Sequence, residues 1–303
     1  MAEIKTRTIG RTRIKANAIG VGWGSIGGLS DREAMETIRR AVEVGFRYHD
    51  TSPLYGESER QVGLALKGGL RDKVRLQTKA GAHPSRRYDF SGRAIRRSVE
   101  NSLKVLKTDH LDSVLVHDPP DIEDTLGRGY AFEELHKLKD EGVISHVGLG
   151  TRGIGHHIRA AEAGVTELCL THRDYYLLNQ EAGRRLFPTL KKHAIGILIA
   201  SPLTQVLAGP EPDRTEAPQA HAMWSWCRNR GTNIRDIALH FCLRAPIDGI
   251  VITGPSSVRQ VEENYASAHA DIPPELWADF KAEFGIVEYD GSSTAEGCDG
   301  YGG

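Results

Sequence analysis

A short apolar run, a turn and an amphipathic stretch recur eight times along this chain, and that alternation restricts its fold more than any other feature. The apolar runs cover residues 18–22, 47–50, 74–78, 111–117, 144–150, 167–171, 196–201 and 249–253. The stretches between them carry helical periodicity over 30–44, 57–66, 91–106, a segment ending near 141, 154–163, 184–193, 220–230 and 258–268. Ser30 followed by Glu33 has the spacing of a capping box that opens the first helix. Strands alternating with helices imply parallel strands joined by right-handed crossovers. Eight such units in 303 residues fit a closed (β/α)8 TIM barrel better than an open doubly wound sheet. Ahead of the first unit, Gly10-Arg11-Thr12 lies between the pairs Thr8-Ile9 and Arg13-Ile14, the pattern of an N-terminal β-hairpin that plugs the lower end of the barrel. After the last unit, residues 274–284 read as a C-terminal extra helix with Pro at its start. The Gly-, Ser- and acid-rich tail from 286 to 303 reads as mobile. No composition shift marks a boundary, so residues 1–303 are read as a single domain.

Charge and cysteine content remove several functions. Lys plus Arg (39) and Asp plus Glu (40) nearly cancel, leaving no long-range field for a polyanion, so nucleic acid is not expected as a partner. The four cysteines, Cys169, Cys227, Cys242 and Cys298, are scattered and lack C-x-x-C spacing, which argues against a zinc site or a disulfide framework. The histidines show no ligand spacing with acids or cysteines, and no metal is expected. No stretch approaches the ~20 apolar residues that span a bilayer, and the first residues lack the pattern of a signal peptide. The expectation is a cytoplasmic protein without a membrane partner.

Gly20-Val21-Gly22-Trp23-Gly24-Ser25-Ile26-Gly27 resembles a dinucleotide fingerprint only at first sight. In that motif the third glycine opens directly into the helix whose amides hold the pyrophosphate. Here the third spacing fails and the helix starts only near Asp31. A glycine-rich loop on the C-terminal rim is the better reading, with Gly22 beside the cofactor and Trp23 against nicotinamide or substrate.

The chemistry is concentrated at three strand ends. Asp50 closes the second run, with Tyr55 in the loop just beyond it; Lys79 follows the third, and His117 closes the fourth. Strand C-termini of a barrel converge on one rim, where active sites lie. A free tyrosine, with a pKa near ~10, is a poor proton carrier at neutral pH. A neighbouring ammonium favours the phenolate and is expected to lower that value, and a carboxylate paired with the lysine offsets the cost of burying it. The phenol then exchanges a proton with a carbonyl or alcohol oxygen, while His117 hydrogen-bonds the same oxygen. Such a set suits hydride transfer with a nicotinamide, which supplies the redox chemistry that side chains lack.

These residues also carry a resemblance. Residues 45–66, with Asp50-Thr51-Ser52, Tyr55-Gly56, Glu59 and Gly63, closely resemble the first signature of the aldo-keto reductase family. Ser102-Leu103 to Leu106, Asp109 and Leu111-Asp112 to His117 are similar to the second, and Leu76-Gln77-Thr78-Lys79 to the segment bearing the family lysine. Ser201-Pro202-Leu203 resembles the cofactor loop after strand seven. Gly254-Pro255-Ser256-Ser257 with Gln260, Glu263 and Asn264 resembles the segment that grips the adenosine end. The resemblance implies Asp50, Tyr55, Lys79 and His117 as a catalytic tetrad, Tyr55 as general acid/base, and an NAD or NADP cofactor extended across the rim. Trp23, Tyr55, His117 and Asp118 are expected to line the substrate.

Tyr88-Asp89-Phe90-Ser91, His117-Asp118-Pro119 and Ala200-Ser201-Pro202-Leu203 resemble sugar dehydrogenases that oxidise D-threo-aldoses, L-fucose or L-galactose at C1, and a pyridoxal dehydrogenase branch is similar. The chain departs from many family members in having Gly150-Thr151, His172 and Ala200 where Ser-Asn, Gln and an aromatic hold the nicotinamide. Ser256, Ser257 and Gln260 stand where basic residues bind a 2′-phosphate. Without a fixed cation a phosphate is poorly compensated, so NAD is favoured over NADP, with Arg259 the cation able to reverse that. The leading expectation is oxidation of an aldose to its lactone. An NADPH-dependent aldehyde or ketone reductase, a nucleotide-binding regulatory barrel, and an isomerase or aldolase with Lys79 as Schiff base are the alternatives.

Overall fold

The computed structural model describes residues 5–85 and 88–289. A hairpin of β1 (Thr6–Ile9) and β2 (Ile14–Asn17) comes first, followed by β3 (Ile19–Gly22), α1 (Asp31–Val44), β4 (Tyr48–Asp50) and α2 (Ser58–Ala65). Next come β5 (Arg75–Ala80), α3 (Gly92–Leu106), β6 (Leu111–His117), α4 (Glu123–Leu126), α5 (Ala131–Asp140), β7 (Ile144–Thr151) and α6 (Ile154–Glu162). The chain continues with β8 (Leu168–His172), α7 (Glu181–Arg185), α8 (Phe187–Lys192), β9 (Gly196–Ala200) and α9 (Pro218–Asn229). It closes with α10 (Ile234–Arg244), β10 (Gly249–Thr253), α11 (Val258–Ala268) and α12 (Pro274–Phe284). Strands β3 to β10 pair in parallel around a closed barrel, β10 returning to β3. This is the (β/α)8 architecture expected from the eightfold alternation.

Local chemistry starts and stops these elements. At α1, Ser30 Oγ accepts from the Glu33 amide at 3.3 Å and the Glu33 carboxylate accepts from the Ser30 amide at 3.1 Å, completing the expected capping box. Gly45 ends α1 in the left-handed region, at φ +111°. Residues 184–193, read as one helix, are two short helices that meet at Leu186 and Phe187, where Pro188 has no amide to continue the ladder. Helix α10 was not expected at all. It is capped by Asn233, whose side chain accepts from the Arg235 amide, and it buries Ile234, Ile237, Ala238, Phe241 and Cys242 against β9, β10 and α12 neighbours in one apolar cluster. Beyond α12 the chain stays packed through Tyr289: Lys281 and Trp277 both bind Glu288, and Ile286 and Tyr289 are buried. Residues 286–289, the start of the tail expected to be mobile, are thus packed on α12 and its neighbours, and residues 290–303, with Cys298, lie outside the described residues. Cys169, Cys227 and Cys242 are buried free thiols.

The hairpin closes the bottom of the barrel, as its sequence predicted. Ile9, Ile14 and Ala16 pack into the interior with Tyr48, Leu115, Leu168, Leu198 and Ile250. The Gly10 amide donates to Asp248 O at 3.1 Å and the Arg11 amide to Ala194 O at 2.8 Å, both at the lower ends of strands. Gly10 sits at φ +47°, and a Cβ there would lie 2.2 Å from the Gly196 nitrogen. Backbone against backbone cannot yield. Gly10→Ala is therefore expected to lose about 3 kcal/mol of unfolding free energy in a denaturant titration, while Gly28→Ala, whose Cβ meets nothing within 4 Å, stays within about 0.5 kcal/mol of native.

Candidate active site

Strand alternation aims the upper ends of β4, β5 and β6 at one point. Tyr48 and Asp50 face into the barrel, as do Gln77 and Lys79 on the next strand and Ser113, Leu115 and His117 on the third. Lys79 is 1% exposed and Asp50 4%. The Lys79 ammonium donates to Asp50 Oδ1 at 2.7 Å, to Asp50 Oδ2 at 2.6 Å and to Thr51 O at 2.9 Å. Gln77 Nε2 donates to Asp50 Oδ1 at 2.6 Å, and Gln77 Oε1 accepts from Tyr48 Oη at 2.8 Å and Ser113 Oγ at 3.0 Å. The buried charge pair is thus held in a satisfied polar network, the condition under which burial is tolerable. Glycines on the flanking strands border it: a Cβ on Gly22 would lie 3.1 Å from Ile252 Cγ2 and 3.7 Å from Asp50 Oδ2, and one on Gly150 would lie 3.2 Å from Leu115 Cδ1 and 3.6 Å from Lys79 Cε.

Tyr55 stands directly above the ammonium, which lies 4.7 Å from its ring centroid. The glycine-rich loop after β3 explains how the phenol is fixed. A Cβ on Gly27 would fall 1.9 Å from Tyr55 O, and the Gly27 carbonyl accepts from the Glu57 amide, so the loop is glycine-rich because the tyrosine's turn lies against it. His117 meets Tyr55 edge to face, with centroids 5.8 Å apart and planes at 88°. Its Nδ1 faces Ser52 Oγ at 3.1 Å, and its Nε2 lies 3.6 Å from Asp118 Oδ2. The structure therefore brings Asp50, Tyr55, Lys79 and His117 together. Ser52 and Gln77, which the sequence reading did not select, orient two of them; alternation from Lys79 already placed Gln77 on the inner face.

Ionisation differs from expectation at the tyrosine. Burial is the largest influence on Tyr55 and holds its pKa above the usual 10.0, with Asp50 and Asp118 adding to it; Lys79 pulls the other way without prevailing. Tyr55 is thus a neutral phenol at neutral pH, a proton donor rather than a phenolate. Burial works against the Lys79 charge, yet Asp50 and Tyr55 outweigh it and raise its pKa, so the cation persists. Burial, followed by Lys79 and His172, holds His117 well below 6.5, which makes it a neutral imidazole. His172 is lowered to about 4 by burial and by Arg173, Arg152 and Lys79.

One placement differs at the rim. Trp23 does not face it: the side chain is fully buried on the outer side of β3, and its Nε1 donates to His49 Nδ1 at 3.2 Å. Because Gly22 points inward, the next residue points outward. Asp118 does face the rim, with a half-exposed carboxylate and a left-handed backbone at φ +42°.

The residues expected to hold the cofactor lie along the rim from β9 to α11. Ser201 turns the chain at φ +60°, Pro202 is buried, and Thr204 Oγ1 close by is buried without a partner. Gln260 Oε1 accepts from the Ser256 amide at 2.8 Å and Ser256 Oγ at 3.0 Å, while Ser257 caps α11. A Cβ on Gly254 would touch only Gly22 O, at 3.9 Å, so this strand end is open. Open glycines, an unpaired hydroxyl and a helix N-terminus form a cradle that fits an extended dinucleotide. Asn264 is buried, and Glu263 pairs with Arg235 at 3.1 Å. Arg235, on the unexpected α10, also donates to Ala208 O and so ties the 201–212 loop to α11. Arg259 is 80% exposed and 3.8 Å from Glu263, pointing outward. Among the described residues no group of three or more His, Cys, Asp or Glu is placed to hold a metal, and no helix is long and apolar enough to cross a membrane.

A parallel barrel with a buried ammonium–carboxylate pair beneath a rim phenol defines a class, barrel oxidoreductases that move a proton beside a cofactor cradle. The aldo/keto reductase family model matches residues 18–282, and the chain belongs to that family. It is 30% identical to a D-threo-aldose 1-dehydrogenase from Pseudomonas sp, over 86% of this chain and 92% of that protein. It is 29% identical to an L-galactose dehydrogenase from Arabidopsis thaliana, over 88% of this chain and 89% of that one. Among solved structures, an aldo-keto reductase from Klebsiella pneumoniae in complex with NADPH superposes with a TM-score of 0.75 at 25% identity, covering 93% of this chain and 96% of that one.

Removing one member of a buried ion pair leaves the other charge uncompensated. Asp50→Asn is expected to cost about 3 kcal/mol in denaturant unfolding, and the double variant Asp50→Asn/Lys79→Met to recover part of that loss. Additive losses would mean that the two groups are not energetically coupled.

Proposed function

We propose that the protein oxidises the anomeric hydroxyl of an aldose of the D-threo, L-fucose or L-galactose type to the lactone, using NAD or NADP. The observation that carries this reading is the Lys79 ammonium locked by Asp50 directly under the Tyr55 phenol. The dinucleotide supplies the hydride acceptor, held by Gly22, Ser201, Pro202, Leu203, Gly254, Ser256, Ser257, Gln260, Glu263 and Asn264. In its phenolate form, which Lys79 stabilises, Tyr55 takes the hydroxyl proton and becomes a neutral phenol as the C1–H bond breaks. His117, neutral, hydrogen-bonds the same oxygen and aims it at Tyr55. The half-exposed Asp118 carboxylate beside His117 accepts from a neighbouring sugar hydroxyl, which supports a polyol over a simple aldehyde. NAD is favoured because Arg235 is already neutralised by Glu263, and Arg259 points outward. The relatives named as aldose and galactose dehydrogenases support the same substrate class.

In the reverse direction the neutral phenol donates to a carbonyl, so an NADPH-dependent aldehyde or ketone reductase is the second reading; the high Tyr55 pKa favours donation at neutral pH. A panel crossing NAD and NADP with L-fucose, L-galactose, simple aldehydes and pyridoxal separates the two. Turnover confined to NADPH with non-sugar aldehydes contradicts the aldose reading.

Tyr55→Phe is expected to lower kcat about 10²- to 10⁴-fold at nearly unchanged KM, the range for a lost general acid/base. Undiminished turnover would leave a nucleotide-binding barrel as the better reading.

The pH profile follows from the shift at Tyr55. A group whose pKa lies above 10.0 gains its basic form only as pH rises, so aldose oxidation should climb without a plateau up to pH 10, and carbonyl reduction should hold steady and then decline. His117, held well below 6.5, should add no inflection between pH 6 and 8. An oxidation rate already flat from pH 7 would contradict the assignment of Tyr55 as base.

A further inference from the structure

Large apolar side chains seldom stand exposed in numbers on a small surface without a partner. Among the described residues, Leu54, Tyr88, Tyr130 and Val287 are the exposed ones, at 37%, 46%, 45% and 68%. Leu54 adjoins Tyr55, and Tyr88 and Tyr130 both line a cleft of about 280 Å³ formed by loops that follow the upper ends of β5 and β6. The loops after β5 and β6 form its two walls. On the β5 side, Tyr88 stacks on Phe90, with centroids 6.2 Å apart and planes at 20°. Phe90 in turn packs on Gly81, whose Cβ would fall 2.2 Å from the ring. On the β6 side stand Pro120, Asp124 and Tyr130. The walls are stitched at their base by antiparallel pairing of Ser91 with Tyr130 and by the Gly92 amide donating to Gly129 O at 2.7 Å.

The position of this cleft gives it a meaning. Pro120 follows His117 by three residues, and Phe90 packs on Gly81, two residues beyond Lys79, so each wall of the cleft is anchored next to a strand end that carries one of these groups. Its walls combine flat aromatic faces with the carboxylates of Asp89 and Asp124. Flat faces pack the C–H face of a pyranose, and carboxylates accept from its ring hydroxyls. The volume is near the lower end of those that hold small ligands, enough for one ring.

Resting on the aldose reading, we propose that this cleft is an outer subsite that stacks a second sugar ring, so that the protein acts on reducing disaccharides as well as monosaccharides. The residue oxidised at C1 sits under Tyr55, and the glycosidically linked ring lies between Tyr88–Phe90 and Tyr130.

The test measures kcat/KM for L-fucose and for a reducing disaccharide ending in L-fucose, on the native protein and on Tyr88→Ala, Tyr130→Ala and Tyr88→Phe. In parallel, the disaccharide's methyl glycoside, which cannot be oxidised at C1, is followed by saturation-transfer NMR. Each alanine variant is expected to lower the disaccharide-to-monosaccharide ratio about fivefold to tenfold and to abolish saturation of the outer ring, while Tyr88→Phe retains both. A ratio and a saturation pattern unmoved by either alanine substitution overturn the subsite. Tyr88-dependent saturation without turnover of any aldose would uphold the subsite and reject the aldose reading. Turnover of L-fucose with no contact to the outer ring would do the opposite.

Discussion

The charge pair between Lys79 and Asp50 is the constraint around which the upper half of this barrel is arranged. An ammonium with 1% exposure survives only if its protons are all directed at oxygen and its counter-charge is immediate. Both conditions are met by the two Asp50 oxygens and Thr51 O. The pair in turn dictates its neighbours. Gln77 donates to the carboxylate, Tyr48 and Ser113 donate to Gln77, and Gly22 and Gly150 border the pair. Gly150 is one of the chain's departures from many family members, and a Cβ there would press on Leu115 Cδ1 at 3.2 Å.

The electrostatic consequence is more specific than a lowered phenol pKa. Burial raises Tyr55 and depresses His117, while Lys79 stays charged through its partners. The site therefore holds a Lys79 ammonium paired with Asp50 beside two neutral groups, Tyr55 and His117, at the place where a substrate oxygen would bind. Lys79 limits the cost of forming a phenolate rather than creating one in advance. Under the proposed reaction, that division allows either direction with the same residues, the direction being set by pH and cofactor ratio.

Much of this was legible in the sequence, for identifiable reasons. Each barrel strand is a short apolar run between turns, so all eight were found, and Asp50, Lys79 and His117 were found because polar residues at the ends of apolar strands stand out. What was missed depended on direction or context. Trp23 was placed on the rim although its parity with the inward Gly22 turns it outward, a signal present but unused. Ser52 and Gln77 are ordinary polar residues whose role appears only when their neighbours are in place. Helix α10 escaped notice because only four residues separate it from α9, although Asn233 and the 3- and 4-residue spacing of Ile234, Ile237, Ala238 and Phe241 announced it. The raised pKa of Tyr55 could not be read at all, since desolvation is a property of the folded surroundings.

The central claim, that a buried cation eases ionisation of the rim phenol, is open to direct titration. Tyrosine ring-¹³C NMR, with the Tyr55 resonance assigned by its loss in Tyr55→Phe, would follow the phenol in the native protein and in Lys79→Met. The account predicts a midpoint above 10 in the native protein that moves to still higher pH once the ammonium is gone. The same midpoint in both proteins would contradict it.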